Sequence, residues 1–581
     1  MQFDTIISNT LIYDGTGRQS YRNDVGIKDD KIVAIGDLSE TETATNINGG
    51  RFALCPGFVD IHSHADMTLH RPDHADLLKP LVHQGITTFV GGNCGVAMAP
   101  VSERHRETQM KFYDFFLGED QEERVRWQSF GELMDTYEKQ GVLLNTAMLA
   151  PHSMLRMNVL DVKTEPALPP HMDEMKHHLN ECMEAGAIGM STGLQYPGGL
   201  SSNQWEITEL AREVHKYNGV FTSHLRSYSS DTLPQAVDEV ISVGRDAEVP
   251  VQISHLFWIP NFPAPLNSLM TKFIKLASTA YNKKKFPLPV GSALKPLLNK
   301  VASLVNDGFP IGVDVMPTSA GFTHLLALFP PWALEGGMER VQQRLADPKE
   351  RAMIRKSIEM GDTKWPHRGR DSWSMNLFKV MGWDCAFIMS VPSARNSKYI
   401  GRSFADIAKE LGKHPFDVAC DMLLEEDGRV LIFETATFPG DPLVELSLLD
   451  PLIDPNASIV TDTILLEFGM PSHLFYDCFP KFLGNYSREL GKISLAEAIR
   501  KCTSLPASQM QIQKRGSIKV GNYADLVLFD PGTIGSRSTA MDPKHSPSGI
   551  EYVFINGHAV VDPSGYHPEP KPGKLLRHGA V

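Results

Sequence analysis

No run of about 18 apolar residues occurs in this chain of 581, so no membrane-spanning segment is expected. The start, Met1-Gln2-Phe3-Asp4-Thr5, has neither the basic stretch nor the apolar core of a leader, and no signal peptide is expected. Basic residues are not in excess: 56 Lys and Arg stand against 69 Asp and Glu, a net charge of −13. That balance argues against nucleic acid or an anionic membrane surface as the main partner. Cysteines are few, scattered and odd in number, seven in all, which reads as reduced thiols in a cytoplasmic protein and excludes a disulfide framework. No P-loop and no internal repeat appear. Hydrophobic content of 42% and charged content of 22% are near globular averages, so disorder is not indicated.

Against these absences stands Pro56-Gly57-Phe58-Val59-Asp60-Ile61-His62-Ser63-His64-Ala65-Asp66. Residues two apart on a strand share a face, so His62 and His64 can bind one metal together. Four further apolar runs each end in a metal-binding residue type. Gly85–Val90 leads into Gly91-Gly92-Asn93-Cys94-Gly95, Gly219–Ser223 into His224, Val249–Ser254 into His255, and Ala457–Thr461 into Asp462. Short strands that deliver such residues at their carboxyl ends describe a parallel barrel, whose active site lies on that face. The six residues read as a hydrolytic metal centre. A Cys94 thiolate with His224 and His255 favours zinc, and His62 and His64 could hold a second ion with Cys94 and Asp462 near both, so one or two Zn2+ are expected. Zinc acidifies water and polarises a carbonyl, and hydrolysis then needs a base that returns the proton to the leaving nitrogen. Asp462 is the candidate.

The expected fold is α/β: a (β/α)8 TIM-like barrel with a small β-sandwich domain built from both chain termini. Strands are expected at 57–61, 87–91, 143–149, 187–191, 220–223, 251–254, 311–315 and 458–461, with helices such as 208–217 and 233–244 between them. Residues 1–56 alternate in short runs as an antiparallel β-unit; 511–581 read the same way, and neither part is apolar enough to form a core by itself. The barrel takes 57–510, with insertions at about 257–308 and 319–456. The first insertion holds an apolar-basic stretch, Leu269–Leu276 followed by Asn282-Lys283-Lys284-Lys285, which reads as a surface helix or a lid. The second holds Trp365-Pro366-His367-Arg368 and a helical pattern over 404–411.

The ligand pattern resembles the amidohydrolase superfamily, and Asn93-Cys94-Gly95 resembles its N-acyl-D-amino-acid deacylase branch, where a cysteine bridges the metals in place of a carboxylated lysine. Ser191–Tyr196, Ser223-His224-Leu225-Arg226, Arg515–Ile518 and Gly521–Val527 extend the resemblance over nearly the whole chain. It implies the terminal β-domain, an insertion over the active site, a stronger Cys94/His224/His255 metal site and a weaker one at the paired histidines. The carboxylate-holding pattern departs from the family. His255-Leu256-Phe257 stands where the branch has His-His-Lys, Met316–Phe322 where it has Tyr-Pro-Tyr and its sequel, and Phe479-Pro480-Lys481 where it has Phe-Pro-Arg; Tyr196 keeps its match. The expected substrate-contacting residues are therefore Tyr196, Phe257, Met316, Phe322 and Lys481, with Lys481 or Arg226 the cations left to hold a carboxylate. The reading is a metal-dependent hydrolase cleaving a linear amide of an N-acylated small molecule. A cyclic amide, carbamate or ester on the same centre, and a non-catalytic scaffold, are the alternatives. Barrels of this type often self-associate, so a homo-oligomer is compatible with this reading.

Overall fold

The computed structural model describes residues 3–117, 124–261, 266–284, 294–361, 365–366, 376–464 and 468–579. Lys285 and His367-Arg368, singled out above, lie outside them. Among the described residues no helix is long and apolar enough to cross a membrane.

The core-forming strands are Phe58–Asp60, Ile86–Gly91, Asn145–Met148 running on into Ala150–Pro151, Gly189–Gly193, Val220–His224, Val251–Ile253, Ile311–Val315 and Ala457–Ile459. Every residue in them is buried, as expected for strands covered on both faces. All pair in parallel. One sheet joins the first three in chain order; a six-stranded sheet runs from Ala457–Ile459 through Ile311–Val315, Val251–Ile253, Val220–His224 and Gly189–Gly193 to Ala150–Pro151. Backbone bonds tie the two sheets beyond the strand ends. Asp462 N donates to His62 O at 2.9 Å and His64 N to Thr463 O at 2.8 Å.

Helices pack between successive strands because their sequences carry one apolar face. In Gln204–Lys216 the Asn203 side chain caps the first turn by accepting from Glu206 N, and His215 and Lys216 sit at the carboxyl end, where the helix dipole favours cations. Ile207, Leu210, Ala211 and Val214 recur at helical spacing and are buried. Leu233–Ala247 repeats the pattern with Ala236, Val237, Val240, Ile241 and Gly244.

The two chain ends combine in one nine-stranded sheet, in which Ala53–Pro56 pairs antiparallel with Leu526–Phe529. Its alternation serves two cores. Leu54, Leu526, Leu528 and Phe554 join Ile7, Ile12, Val25, Ile27 and Ile32 on one side, while Cys55, Val527, Phe529, Val553 and Ile555 join the main core. The N-terminal part is not purely antiparallel as expected: Phe3–Ile12 pairs in parallel with both Thr43–Asn48 and Ala53–Pro56. Period-two alternation reports which face is buried and carries no information on strand direction.

The second insertion builds a core of its own. Gly321–His324, Leu431–Glu434 and Ala386–Ser390 form a three-stranded antiparallel sheet backed by residues such as Leu325, Phe378, Ile388, Phe404 and Phe416. In the first insertion the helix Leu266–Lys284 presents Leu269, Phe273 and Leu276 to solvent.

Lys501, on the helix Leu495–Cys502, is completely buried and donates to the carbonyls of Asp454 and Ala457. Burial lowers its pKa from 10.5 to about 7. Over that interval the unfolded chain holds a proton that the folded chain has released, so this group's contribution to stability is least at or below pH 7 and rises toward 10.5. Lys501→Met is expected to flatten the rise in stability between about pH 7 and pH 9, measured by urea unfolding at both values. Equal pH dependence in the two proteins would contradict the assignment.

Candidate metal centre

The strand ends that carry the predicted donors adopt an unusual backbone. Cys94 has φ 52°, His255 φ 32° and Asp462 φ 53°, all in the left-handed region that non-glycine residues seldom occupy. Each costs on the order of 1–2 kcal/mol and persists only where its surroundings impose it. Around Cys94 those surroundings are explicit. Asn93 donates its side-chain amide to Ile61 O at 3.3 Å and Val90 O at 2.9 Å, tying two strand ends together. Gly95 N donates to Ser191 Oγ at 2.9 Å, and that hydroxyl donates to Gly92 O. A Cβ on Gly193 would lie 1.9 Å from the Cys94 carbonyl, so only glycine fits there. Gly189-Met190-Ser191-Thr192-Gly193 has the Gly-x-Ser-x-Gly spacing of serine hydrolases, but Ser191 is buried within a strand and its hydroxyl is committed to this loop. It positions Cys94 and is no nucleophile.

All six predicted donors converge. Cys94 Sγ lies 3.3 Å from His62 Nε2, 3.5 Å from His224 Nδ1 and 3.6 Å from His255 Nε2. His224 Nδ1 and His255 Nε2 are 3.0 Å apart. Asp462 Oδ1 is 3.4 Å from the Nε2 atoms of both His62 and His64. Three overlapping triads have their ligand atoms within 4.8 Å of one another: His62/His64/Cys94, Cys94/His224/His255 and His62/His255/Asp462. Soft sulfur, imidazole and one carboxylate, pressed together and buried, are the donor set of a zinc-type ion. The residues present fit such a group.

Two residues not foreseen orient the donors. Asp314 accepts from His255 N at 2.6 Å and from Gln252 Nε2 at 2.9 Å, and lies 3.5 Å from His62 Nδ1, which leaves His62 Nε2 facing the cluster. Gln195 Oε1 meets His224 Nε2 at 2.8 Å and so presents Nδ1. Asp314 was visible as an acid inside the apolar run Ile311–Val315; Gln195 had no comparable signal.

Electrostatics reinforce the cluster. Burial opposes ionisation of Cys94, but His62 and His224 overcome it and hold the thiol well below its usual range. Burial would likewise lower His64, yet Asp462 and Cys94 raise it to about 10. His224 is pushed down to about 4 by burial, against the pull of Cys94. Asp462, though buried, is held below the usual carboxylate range by His62 and His64. A cation entering here replaces the protons of His62 and His64, so its binding is coupled to proton release.

A cavity opens onto His224, His255 and Asp462. Four of the five expected substrate-contacting residues line it: Tyr196, Phe257, Met316 and Phe322. The Tyr196 ring centroid is 4.8 Å from that of His224. Phe257 stacks on Tyr228 at 4.3 Å, and Phe322 packs edge-on against Phe475 at 5.4 Å. Lys481 is not brought to this wall. It is buried against Glu445 Oε1 at 2.9 Å and His473 Nε2 at 3.1 Å. Arg226 is also spent elsewhere, donating to Glu239 and to the carbonyls of Leu200 and Ser202. Glu434, from the second insertion, lines the cavity instead, and no feature of its neighbourhood in sequence marked it.

A profile of the amidohydrolase family matches residues 468–561. The chain is 26% identical to a D-aminoacylase of Alcaligenes xylosoxydans xylosoxydans over 96% of its length and 94% of the relative's. It is 27% identical to the N-acyl-D-glutamate deacylase of the same organism, over 100% of its length and 97% of the relative's. A solved D-aminoacylase structure, described as having a binuclear metal centre, superposes with a TM-score of 0.75 at 25% identity, covering 99% of this chain and 100% of that one.

Cys94→Ala and His255→Ala are each expected to abolish tight zinc retention, read as bound metal per chain after dialysis. Asp314→Asn, which keeps all six donors, is expected to weaken affinity by about 10–100-fold. Retention of metal by both alanine variants would remove the Cys94/His224/His255 triad as the tight site.

Proposed function

We propose, on the premise that the chain is a metal-dependent hydrolase of the amidohydrolase family resembling the D-aminoacylase branch, that it cleaves a linear amide C–N bond of an N-acylated small molecule. The observation that carries this reading is the six-donor cluster with Asp462 at its mouth. The Asp462 side chain retains 12% exposure where that of His62 retains 1%, and Asp462 lines the cavity while bonding distances tie it to His62 and His64.

The cluster's position is accounted for if the two parallel sheets are one closed (β/α)8 barrel. The continuation of Asn145–Met148 into Ala150–Pro151 and the bonds from Asp462 N to His62 O and from His64 N to Thr463 O support closure. The donors then sit at the carboxyl ends of the strands, where such barrels carry their chemistry. This barrel occupies 57–510, with its insertions, beside a β-domain drawn from 1–56 and 511–581. Seven buried, unpaired cysteines accord with a reducing, cytoplasmic setting.

Cys94, His224 and His255 would hold one zinc, and His62 and His64 could hold a second with Cys94 and Asp462 near both. Bound there, the metal would lower the pKa of water and polarise the amide carbonyl. Asp462 takes the proton of the attacking water and returns it to the leaving nitrogen, so that an amine and not an amide anion departs. Its depressed pKa keeps it ionised, and therefore able to accept, across the neutral range. Tyr196, Phe257, Met316 and Phe322 hold the substrate against the centre and limit water beside it.

Asp462→Asn is expected to lower turnover of an N-acetylated amine by about 10²–10⁴-fold with metal content unchanged, measured by amine release and metal analysis on the same preparation. Near-normal turnover with metal retained would take Asp462 out of the mechanism.

A further inference from the structure

The cavity beside the metal cluster carries a charge opposite in sign to the one an N-acyl amino acid requires. Its described lining includes Glu434 and Asp462 but no lysine or arginine. Asp462 is engaged by His62 and His64. Glu434 is not engaged: its carboxylate accepts no hydrogen bond and forms no ion pair among the described residues. It is only partly exposed, and burial alone raises its pKa to about 7, with no cation acting to lower it. The cations that sequence offered for a substrate carboxylate, Lys481 and Arg226, are bound to Glu445 and Glu239 away from this wall. A largely desolvated acid facing a substrate cavity without a partner is costly unless the ligand supplies one.

We propose that Glu434 selects the substrate, and that the amine half of that substrate presents to it a nitrogen bearing N–H donors, an ammonium above all, where an N-acyl amino acid would present a carboxylate. This rests on the reading of the site as an amide hydrolase and narrows its substrate class. A carboxylate placed in this cavity meets like charge at low dielectric and finds no lysine or arginine in the described lining to compensate it. An ammonium meets Glu434 as an ion pair and keeps the acid ionised. Phe257, Met316 and Phe322 supply the apolar surface along the intervening chain.

The test is calorimetric, on the full-length, zinc-loaded protein. The probes are methanesulfonyl-D-methionine and its counterpart with the carboxylate replaced by an aminomethyl group; the sulfonamide in place of the acetamide resists hydrolysis. The ammonium probe is expected to bind at least about tenfold tighter than the carboxylate probe, and Glu434→Gln is expected to bring that ratio near one. Equal or tighter binding of the carboxylate probe, no measurable binding of the ammonium probe, or a preference that survives Glu434→Gln would each overturn the assignment. The comparison within the unsubstituted protein decides the matter even if the variant folds poorly. The acetyl counterparts, assayed in parallel for amine release, separate the two levels. Binding preference without hydrolysis would leave Glu434 in place and sink the amidase reading. Hydrolysis of N-acetyl-D-methionine without any ammonium preference would do the reverse.

Discussion

Buried donor atoms packed within a few ångströms of one another, without a counterion, would be among the most expensive arrangements a protein interior can hold. Cys94, His62, His64, His224, His255 and Asp462 form such an arrangement, and much of the surrounding structure serves it. Three of the six sit on left-handed backbone, which the Asn93, Ser191 and Gly193 contacts impose around Cys94. Asp314 and Gln195 aim the rings. The bonds between residues 62–64 and 462–463 bring the first and last of these donors together from opposite ends of the central segment. A cation at the common focus would offset much of what the mutual pairing and the loop contacts leave uncompensated, so the local strain and the donor chemistry point to the same conclusion.

The wall of the cavity obeys a different constraint. It is built largely from the loops after Val251–Ile253 and Ile311–Val315 and from the three-stranded sheet of the second insertion, one face of which packs on the main core and the other on the insertion's own. Identity in the mid-twenties to the deacylases over whole chains fits this division. In this chain the donors are ringed by their supports, while Phe257, Met316 and Phe322 line the cavity beside them. Function at this level is decided by the charge and shape of the wall, not by the metal machinery the wall surrounds.

Much of the frame was legible in the residues. Each of the eight central strands falls within about two residues of its expected place, because buried parallel strands read as continuous β-branched and apolar runs with sharp glycine and polar boundaries. The helix Phe404–Leu411 coincides with its expected span, and the pairing of the two chain ends follows from neither having a sufficient core. Strand direction in the N-terminal unit was not legible, since alternation is blind to it. Nor was the short sheet formed by Gly321–His324, Ala386–Ser390 and Leu431–Glu434, whose strands are separated by long helical stretches.

The six residues that converge were readable from sequence alone, because a metal site would demand particular atoms and a strand end delivers one side chain at a fixed place. The hydrolytic character of the protein follows from that local chemistry. Only the tertiary structure decided which charges reach the cavity. Lys481 and Arg226 carry the right sign for a carboxylate but are drawn to Glu445 and Glu239, and Glu434 arrives from an insertion more than a hundred residues from the nearest donor on its amino-terminal side. A long side chain's partner is set by whichever opposite charge the fold brings within a few ångströms, and that is a property of three-dimensional placement which no local pattern encodes.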